Sequence, residues 1–254
     1  MNKTTSISDD NNYPNFCELA ATNSKIFETF RRNQNYTKIL EHVTKHEGEI
    51  YLKIINDNHP ELLDNVEKYK INENIGTPIK YQYSIGEFSP TTIRYVKVLG
   101  DLIDEFGDLS DLDIIEIGCG YGGQCKIILD NFNVKSYTLV DLEPALKLTK
   151  VFLEKAGVDT SKLSFKTMGE LNVNNYDLFI SNYAFTECTK TIQLEYFDKA
   201  IKNSKMGYIT ANFINDFFNL DYMKKDELLS SIQNSYTIEE KPKTHENNII
   251  IAWK

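Results

Sequence analysis

The chain has 254 residues, 41% of them hydrophobic, which is enough for one large domain with a sizeable buried core. The formal net charge of −9 argues against non-specific nucleic-acid binding, because an acidic surface repels a phosphate backbone. The N-terminus is polar, no run approaches the ~18 apolar residues of a membrane span, and the four cysteines are scattered, so we expect a cytoplasmic protein.

The first part of the chain is predicted to be mostly helical. Residues 1–12 are polar, and we expect a disordered tail there. Residues 13–88 carry apolar positions largely at helical spacing, and we interpret them as a lid over a substrate or as a dimer surface. Ser89 and Pro90 then supply an N-cap and a first-turn proline for a helix that Gly107 ends.

From residue 113 onward, strands alternate with helices. The predicted strands cover 113–117, 136–140, 163–168, 176–181, 207–213, 236–240 and 248–253, and helices are predicted at 123–132, 144–156, 192–203 and 220–233. This alternation predicts an α/β fold for residues 89–254, with a Rossmann-like, mostly parallel, seven-stranded sheet covered by helices. Only about seven residues separate the last two strands, which is too short for a parallel crossover, so the last strand should run antiparallel.

The segment from Asp113 to Gly123 reads as a buried strand, a glycine turn and a helix start. Glycines permit positive φ and a close approach of the backbone to a ligand, and the helix start offers free N–H groups. This pattern also fits a dinucleotide, which remains an alternative. Glu116, two residues before the first glycine, suits a cationic ligand instead. Asp141 closes the next strand and suits two ribose hydroxyls.

A cationic, ribose-bearing ligand with an amino-acid tail is S-adenosylmethionine. The segments 89–95, 116–125 and 176–187 resemble those of class I methyltransferases, and in particular the sugar O-methyltransferase family of bacterial surface-polysaccharide clusters. The resemblance covers roughly residues 76–254. It implies that cofactor contacts come from the glycine turn, the ends of the next strands and the loops behind them, namely Glu116, Gly118, Gly120, Gly122, Asp141, Leu142, Met168, Glu170 and Asn182.

Two residues are candidate catalytic bases. Glu187 is the ionisable acid of the loop that follows the fourth strand of the sheet. Its alternative role is that of a carboxylate at a helix start, where the helix dipole favours it. His245 lies in the turn before the antiparallel last strand, on the cofactor edge, and the alternative is an exposed histidine without a role. We expect His245→Ala to lower the catalytic rate with little change in cofactor affinity.

Three further side chains are candidates for substrate binding. Arg94 suits the cofactor carboxylate or an anionic acceptor, unless it is a solvated helix charge. Tyr83 and Tyr183 suit stacking on a sugar, unless they fill the core. His42 and His46, four residues apart, are interpreted as a solvated helix face, and we expect no metal.

The leading hypothesis is an S-adenosylmethionine-dependent O-methyltransferase that acts on a sugar or sugar-linked precursor of capsule or other surface polysaccharide. The alternative acceptor is a phosphate or phosphoramidate group. An inactive cofactor-binding module and a nicotinamide-dependent oxidoreductase are lower alternatives. The absence of an Asn-Pro-Pro-Tyr element after the fourth strand disfavours DNA methylation. The expected partner is therefore a small molecule, and a homodimer remains open.

Overall fold

The computed structural model describes residues 6–214 and 220–254. Its N-terminal part consists of short helices joined by tight turns. Their bounds are α1 (Asn12–Thr22), α2 (Ser24–Phe27), α3 (Gln34–Thr37), α4 (Lys45–Asn58) and α5 (Val66–Glu73). A two-stranded hairpin follows, with β1 (Tyr81–Tyr83) antiparallel to β2 (Gly86–Phe88).

The helix α6 (Pro90–Phe106) connects this N-terminal part to the sheet. Its start is capped as predicted, because the Ser89 hydroxyl accepts a hydrogen bond from the Thr92 N–H at 3.3 Å and proline occupies the first turn. Gly107 ends the helix with a φ of 75°. Nearly the whole N-terminal half of α6 is buried, because α4 packs on it from outside.

Within the described residues the main sheet has seven strands, in the order β5-β4-β3-β6-β7-β9-β8. They are β3 (Asp113–Ile117), β4 (Ser136–Val140), β5 (Leu163–Lys166), β6 (Tyr176–Asn182), β7 (Ser204–Ala211), β8 (Tyr236–Ile238) and β9 (Ile249–Trp253). All pairings are parallel except those of β9, which runs antiparallel to both β7 and β8. The predicted fold class is confirmed.

Helices cover both faces of this sheet. They are α7 (Gly123–Asn131), α8 (Glu143–Lys155), α9 (Lys190–Lys199) and α10 (Lys225–Ser231). The prediction of one helix over 220–233 was too long. The Met223 N–H donates to the Gln193 side chain at 2.6 Å and the Asp221 carbonyl accepts from Lys190 N–H at 2.7 Å, so this segment is held to α9 in an extended form.

The N-terminal helices pack directly on the sheet domain. α1 lies against α8, and Lys147 of α8 forms an ion pair with Glu18 of α1 at 3.0 Å. Part of the predicted tail, residues 1–5, lies outside the described residues. Ser6 pairs with Cys188 as an isolated bridge, and the Ile7 N–H donates to the Glu187 carbonyl at 3.1 Å.

The strand order determines where a ligand can bind. The chain runs from β3 outward to β5 and then returns to the other side of β3 with β6, so the connections diverge between β3 and β6. Ligands of open α/β sheets bind beyond the carboxyl ends of the strands at such a switch point. In the two described ranges, no helix combines the length and the apolar character that a bilayer crossing requires.

Candidate active site

A deep cleft of about 1060 Å³ opens at the carboxyl edge of the sheet, above the switch point. The ends of β3, β4 and β6 form its floor, and the turn between β8 and β9 forms one side. The N-terminal helical part supplies the opposite wall, through residues that include Tyr13, Leu40, His42 and Tyr51. The helical part therefore forms one wall of the cleft.

The glycine turn presents bare backbone to this cleft. Gly118 and Gly120 have φ angles of 74° and 57°, which L side chains rarely adopt. A Cβ on Gly118 would lie 2.0 Å from the Ala184 Cβ, and one on Gly120 would lie 2.6 Å from Leu40. A side chain on Gly118 would therefore collide with the loop after β6, and one on Gly120 with the N-terminal helical wall; both glycines line the cleft.

Gly122 has a different environment. It precedes α7 with a φ of 84°, and an added Cβ would meet Thr149 at 2.9 Å and Leu153 at 3.2 Å, both on α8. It is absent from the cleft lining among the described residues. The structure thus places Gly122 against α8 and outside the cleft lining, and this glycine permits close packing of the turn on α8.

Asp141 ties the glycine turn to the end of β4. Its Oδ2 accepts from the Gly120 N–H at 2.9 Å, and its Oδ1 accepts from the Leu142 N–H at 2.7 Å. Burial raises the pKa of the carboxyl to about 6, while the two N–H donors lower it. Each oxygen keeps a lone pair that can accept a hydroxyl group of a ligand.

Glu116 is a buried acid without a cation beside it in the described part of the chain. Only 3% of it is exposed, and its Oε2 accepts from the Tyr137 hydroxyl at 2.8 Å. Burial raises its pKa to about 8 against the hydrogen bond from Tyr137. A cationic group in the cleft would favour the ionised form, so the position suits a ligand that carries positive charge.

Asn182 lies at the end of β6, on the cleft floor. Its Oδ1 accepts from the Thr210 hydroxyl at 3.2 Å. Its buried Nδ2 has no hydrogen-bond partner among the described residues. Because an unsatisfied buried amide is unfavourable, this donor is available to a ligand.

The loop after β5 lines the cleft with uncharged residues. These are Thr167 and Met168, and Leu142 after β4 also lines the cleft. The Glu170 carboxylate instead accepts from the Thr167 N–H and hydroxyl, both at 2.9 Å, which closes a capping box on the surface. The resemblance implies a cofactor contact for Glu170, and the structure places its side chain in this capping box and outside the cleft lining.

The two candidate bases both reach the cleft. The Glu187 Oε1 accepts from the Asn212 Nδ2 at 2.6 Å, and burial raises the pKa of the carboxyl. The His245 Nδ1 accepts from the Asn247 N–H at 3.3 Å. Since that bond uses the Nδ1 lone pair, the neutral imidazole carries its proton on Nε2 and has no free lone pair for a substrate proton.

The turn that carries His245 is held by Glu240. Its Oε2 accepts from the Thr244 N–H and hydroxyl, both at 2.9 Å, and from the Asn248 Nδ2 at 3.1 Å, while its Oε1 accepts from the Tyr183 hydroxyl. One buried carboxylate thus connects the β8–β9 turn to the cleft floor. No sequence signal pointed to the link between Glu240 and the cleft floor, since Tyr183 lies 57 positions away in the chain.

Of the three predicted substrate residues, two line the cleft. Arg94 is 9% exposed and lies near the rings of Tyr95 and Tyr183. Tyr183 has a φ of 67°, which is strained for a bulky side chain. The third residue, Tyr83, does not line the cleft: its hydroxyl donates to the Lys45 carbonyl at 3.3 Å, and the ring packs against α4.

His42 was missed by the interpretation of the sequence. The structure separates it from His46, because the Thr44 capping box starts α4 at Lys45 and leaves His42 before the helix. His42 lines the cleft, where the surrounding walls and the Arg94 charge lower its pKa. The pattern Thr44-x-x-Glu47 was the available signal for this helix start. Over residues 6–214 and 220–254, no group of three or more acids, histidines or cysteines is arranged to hold a metal.

The fold is a Rossmann-like sheet, with β9 inserted antiparallel between β7 and β8. No protein-family model matches the chain, and no curated protein matches its sequence.

Solved structures with a similar fold include the protein 1320 of Thermoplasma acidophilum, at 16% identity over 74% of this chain and 94% of that chain, with a TM-score of 0.45. An S-adenosylmethionine-dependent methyltransferase from Clostridium acetobutylicum matches at 11% identity over 61% and 87%, with a TM-score of 0.47. Another, from Mesorhizobium loti, matches at 10% identity over 60% and 94%, with a TM-score of 0.44. At these identities the likeness concerns the fold alone.

Proposed function

We propose that this protein is an S-adenosylmethionine-dependent O-methyltransferase whose acceptor is a sugar or a sugar-linked precursor of surface polysaccharide. The observation that carries the cofactor assignment is the buried Glu116 beside a bare glycine turn. An ionised Glu116 would repel an anionic pyrophosphate, whereas a cationic ligand would favour the ionised form of this buried carboxyl. This favours S-adenosylmethionine over a nicotinamide dinucleotide.

The residues present fit that cofactor. Asp141 would accept the ribose hydroxyls, Leu142 and Met168 would enclose the adenine, and Gly118 and Gly120 would lie under the methionine part. The Asn182 Nδ2 is a buried donor on the cleft floor, where it would point to the reacting end. When bound, the cofactor supplies an electrophilic methyl group for an in-line displacement.

The chain must hold the acceptor oxygen in line and accept its proton. Glu187 is the better candidate base, because its carboxylate faces the cleft, is oriented by Asn212, and has a pKa raised by burial. A raised pKa brings a carboxylate closer to the working range of a general base. His245 remains the second candidate, and it requires rotation of the ring away from the Asn247 N–H.

The cofactor assignment is tested by calorimetric titration of the purified protein with S-adenosylmethionine, S-adenosylhomocysteine and NAD⁺. We expect saturable binding of the first two, and Glu116→Gln should weaken S-adenosylmethionine more than the uncharged S-adenosylhomocysteine. Binding of NAD⁺ alone would replace the proposal with an oxidoreductase. Binding without any turnover on a broad panel would instead support an inactive cofactor-binding module.

The acceptor is tested by mass spectrometry after incubation with S-adenosylmethionine and nucleotide-activated sugars, sugar phosphates and phosphoramidates. A mass gain of one methyl group identifies the acceptor. Methylation of a phosphoramidate oxygen rather than a sugar hydroxyl would select the alternative acceptor. In that case no general base is needed, because the oxygen is already anionic.

The identity of the base is tested with Glu187→Gln and His245→Ala. We expect Glu187→Gln to lower kcat by about 10²–10⁴ with little change in cofactor Kd, as for loss of a general base. His46→Ala is the control, because this imidazole is 80% exposed and its Nδ1 lies 3.6 Å from a Glu49 carboxylate oxygen. A larger loss of kcat in His245→Ala than in Glu187→Gln would reverse the assignment.

A further inference from the structure

Arg94 is a deeply buried cation that faces the cleft. It lies in the first turns of α6 and is 9% exposed. Its guanidinium carbon lies 5.7 Å from the centroid of the Tyr95 ring and 5.9 Å from that of Tyr183. The two rings form an aromatic wall around the charge, which favours a cation but does not neutralise it.

No acid forms an ion pair with Arg94 in the part of the chain that the structure describes, and the guanidinium makes no side-chain hydrogen bond there. Arginine does not lose its proton in proteins, so the charge remains. Burying an unpaired charge is unfavourable by several kcal/mol unless an anion compensates it. The N–H groups of such a guanidinium match the two oxygens of a phosphate or carboxylate.

Arg94 lies at one end of the cleft that the groups assigned to the cofactor line. Those groups lie in β3 and β6 or follow β3, β4 and β5, whereas Arg94 also lines a small recess next to β7 and β9, together with Asn182, Tyr208, Thr210 and Ile250. The recess therefore opens on the side of the sheet beyond Asn182. This is where an acceptor would extend if the cofactor lies over the first three strands.

The recess contains three other charged side chains, of which two have partners within the protein and one is exposed to solvent. Lys97 pairs with Asp101 at 2.6 Å. Glu240 is engaged by Tyr183, Thr244 and Asn248, and Lys241 is exposed at the rim. An anion that enters here would meet the charges of Arg94 and Lys241 as well as the engaged Glu240.

We propose that Arg94 binds an oxyanion carried by the acceptor, so that the substrate is a phosphorylated or otherwise anionic precursor and not a neutral glycan. This inference rests on the proposed function and names the substrate class for the same cleft. Tyr183 and Tyr95 hold the guanidinium in place, and the anion anchors the acceptor so that its reacting oxygen lies near the floor at Asn182.

The test uses two titrations on the full-length protein at constant ionic strength. In the first, protein with and without S-adenosylhomocysteine is titrated with inorganic phosphate and with methyl phosphate. We expect saturable binding to the wild type and a loss of about tenfold or more in Arg94→Gln, since a charge-assisted pair is removed. Arg32→Gln, which removes an exposed charge, is the control and should bind phosphate like the wild type.

The second titration identifies the source of the anion. S-adenosylhomocysteine carries a carboxylate tail, and 5′-methylthioadenosine does not. If Arg94→Gln weakens only S-adenosylhomocysteine, the anion belongs to the cofactor and the proposal is overturned. Equal phosphate affinity in wild type and Arg94→Gln overturns it as well, whereas Arg94→Lys should retain part of the binding.

If the proposed function is wrong, the result is different: the wild type binds neither S-adenosylhomocysteine nor 5′-methylthioadenosine. The phosphate titration without nucleoside still decides the Arg94 site in that case. Far-ultraviolet circular dichroism of each variant shows whether a loss of binding reflects a loss of fold.

Discussion

Two buried arginines in this molecule have opposite surroundings. Arg31, fully buried between the N-terminal helices and α6, has an acid, a carbonyl and a hydroxyl as partners. These are Glu41 at 2.5 Å, the Asn72 carbonyl at 2.6 Å and the Ser89 hydroxyl at 2.9 Å, with the Tyr121 ring 4.8 Å away. Arg94, nearly as buried, has aromatic rings but no acid partner among the described residues.

The difference separates a charge that holds the fold from a charge available to a ligand. The Arg31 network includes Ser89, which accepts from Thr92 at the start of α6 and donates to Glu73, so it ties helix capping to the docking of the N-terminal part. The Arg94 charge contributes nothing comparable. A buried cation without an acid is unfavourable for the unliganded fold, which is typical of binding sites.

The largest expected effect is on Arg31. Arg31→Met leaves Glu41 and Glu73 without their cation, and we expect the free energy of unfolding to fall by about 3–5 kcal/mol. Urea unfolding followed by circular dichroism measures it. The double variant Arg31→Met/Glu41→Leu should regain part of the loss, since it removes the stranded acid. A loss below about 1 kcal/mol in Arg31→Met would abolish the contrast with Arg94.

The next effect concerns Glu116, a buried acid that, like Arg94, faces the cleft. Glu116 also lacks an ion-pair partner in the described chain, but a carboxyl can take up a proton where arginine must stay charged. Its folded pKa of about 8 lies above its ordinary 4.5, so between these values the unfolded state binds fewer protons than the folded state. Stability should therefore fall as pH rises from about 5 to 8.

This pH effect is isolated with Glu116→Gln, which cannot ionise. The stability of the wild type relative to the variant should decrease with rising pH by up to about 1.4 kcal/mol per pH unit in that window. Urea titrations at a series of pH values measure it, and saturating S-adenosylmethionine should flatten the slope by favouring the ionised acid. A pH-independent difference would mean that Glu116 is already ionised without a ligand.

The smallest expected effect is on the stability of the Arg94 variant. Arg94→Met removes both a cation–π contribution and an unpaired buried charge, and the two opposite changes should leave the free energy of unfolding within about 1 kcal/mol of the wild type. The same urea assay measures it. A loss close to that of Arg31→Met would show that Arg94 has a structural role and would weaken the oxyanion proposal.

Much of the fold was predictable because its signals are local. The strand preceding Gly118, the cap at Ser89 and the antiparallel last strand all follow from period, turn residues and loop length over a few neighbouring positions. Two local signals were available but not used: the capping boxes at Thr44 and Thr167. The Thr44 capping box starts α4 after His42. The Thr167 capping box directs the Glu170 carboxylate to the Thr167 N–H and hydroxyl.

The order of apolar and polar residues was enough to predict the sheet, the glycine turn and the acids Glu116 and Asp141 at the strand ends. These features depend on the spacing of residues that are adjacent in the chain. Only the tertiary structure decided which side chains meet across the cleft. Arg31 has an acid partner ten positions away and a hydroxyl partner 58 positions away, whereas Arg94 has neither within residues 6–214 and 220–254. Whether a buried charge is paired depends on the packing of distant elements, and that pairing separates the structural arginine from the proposed binding one.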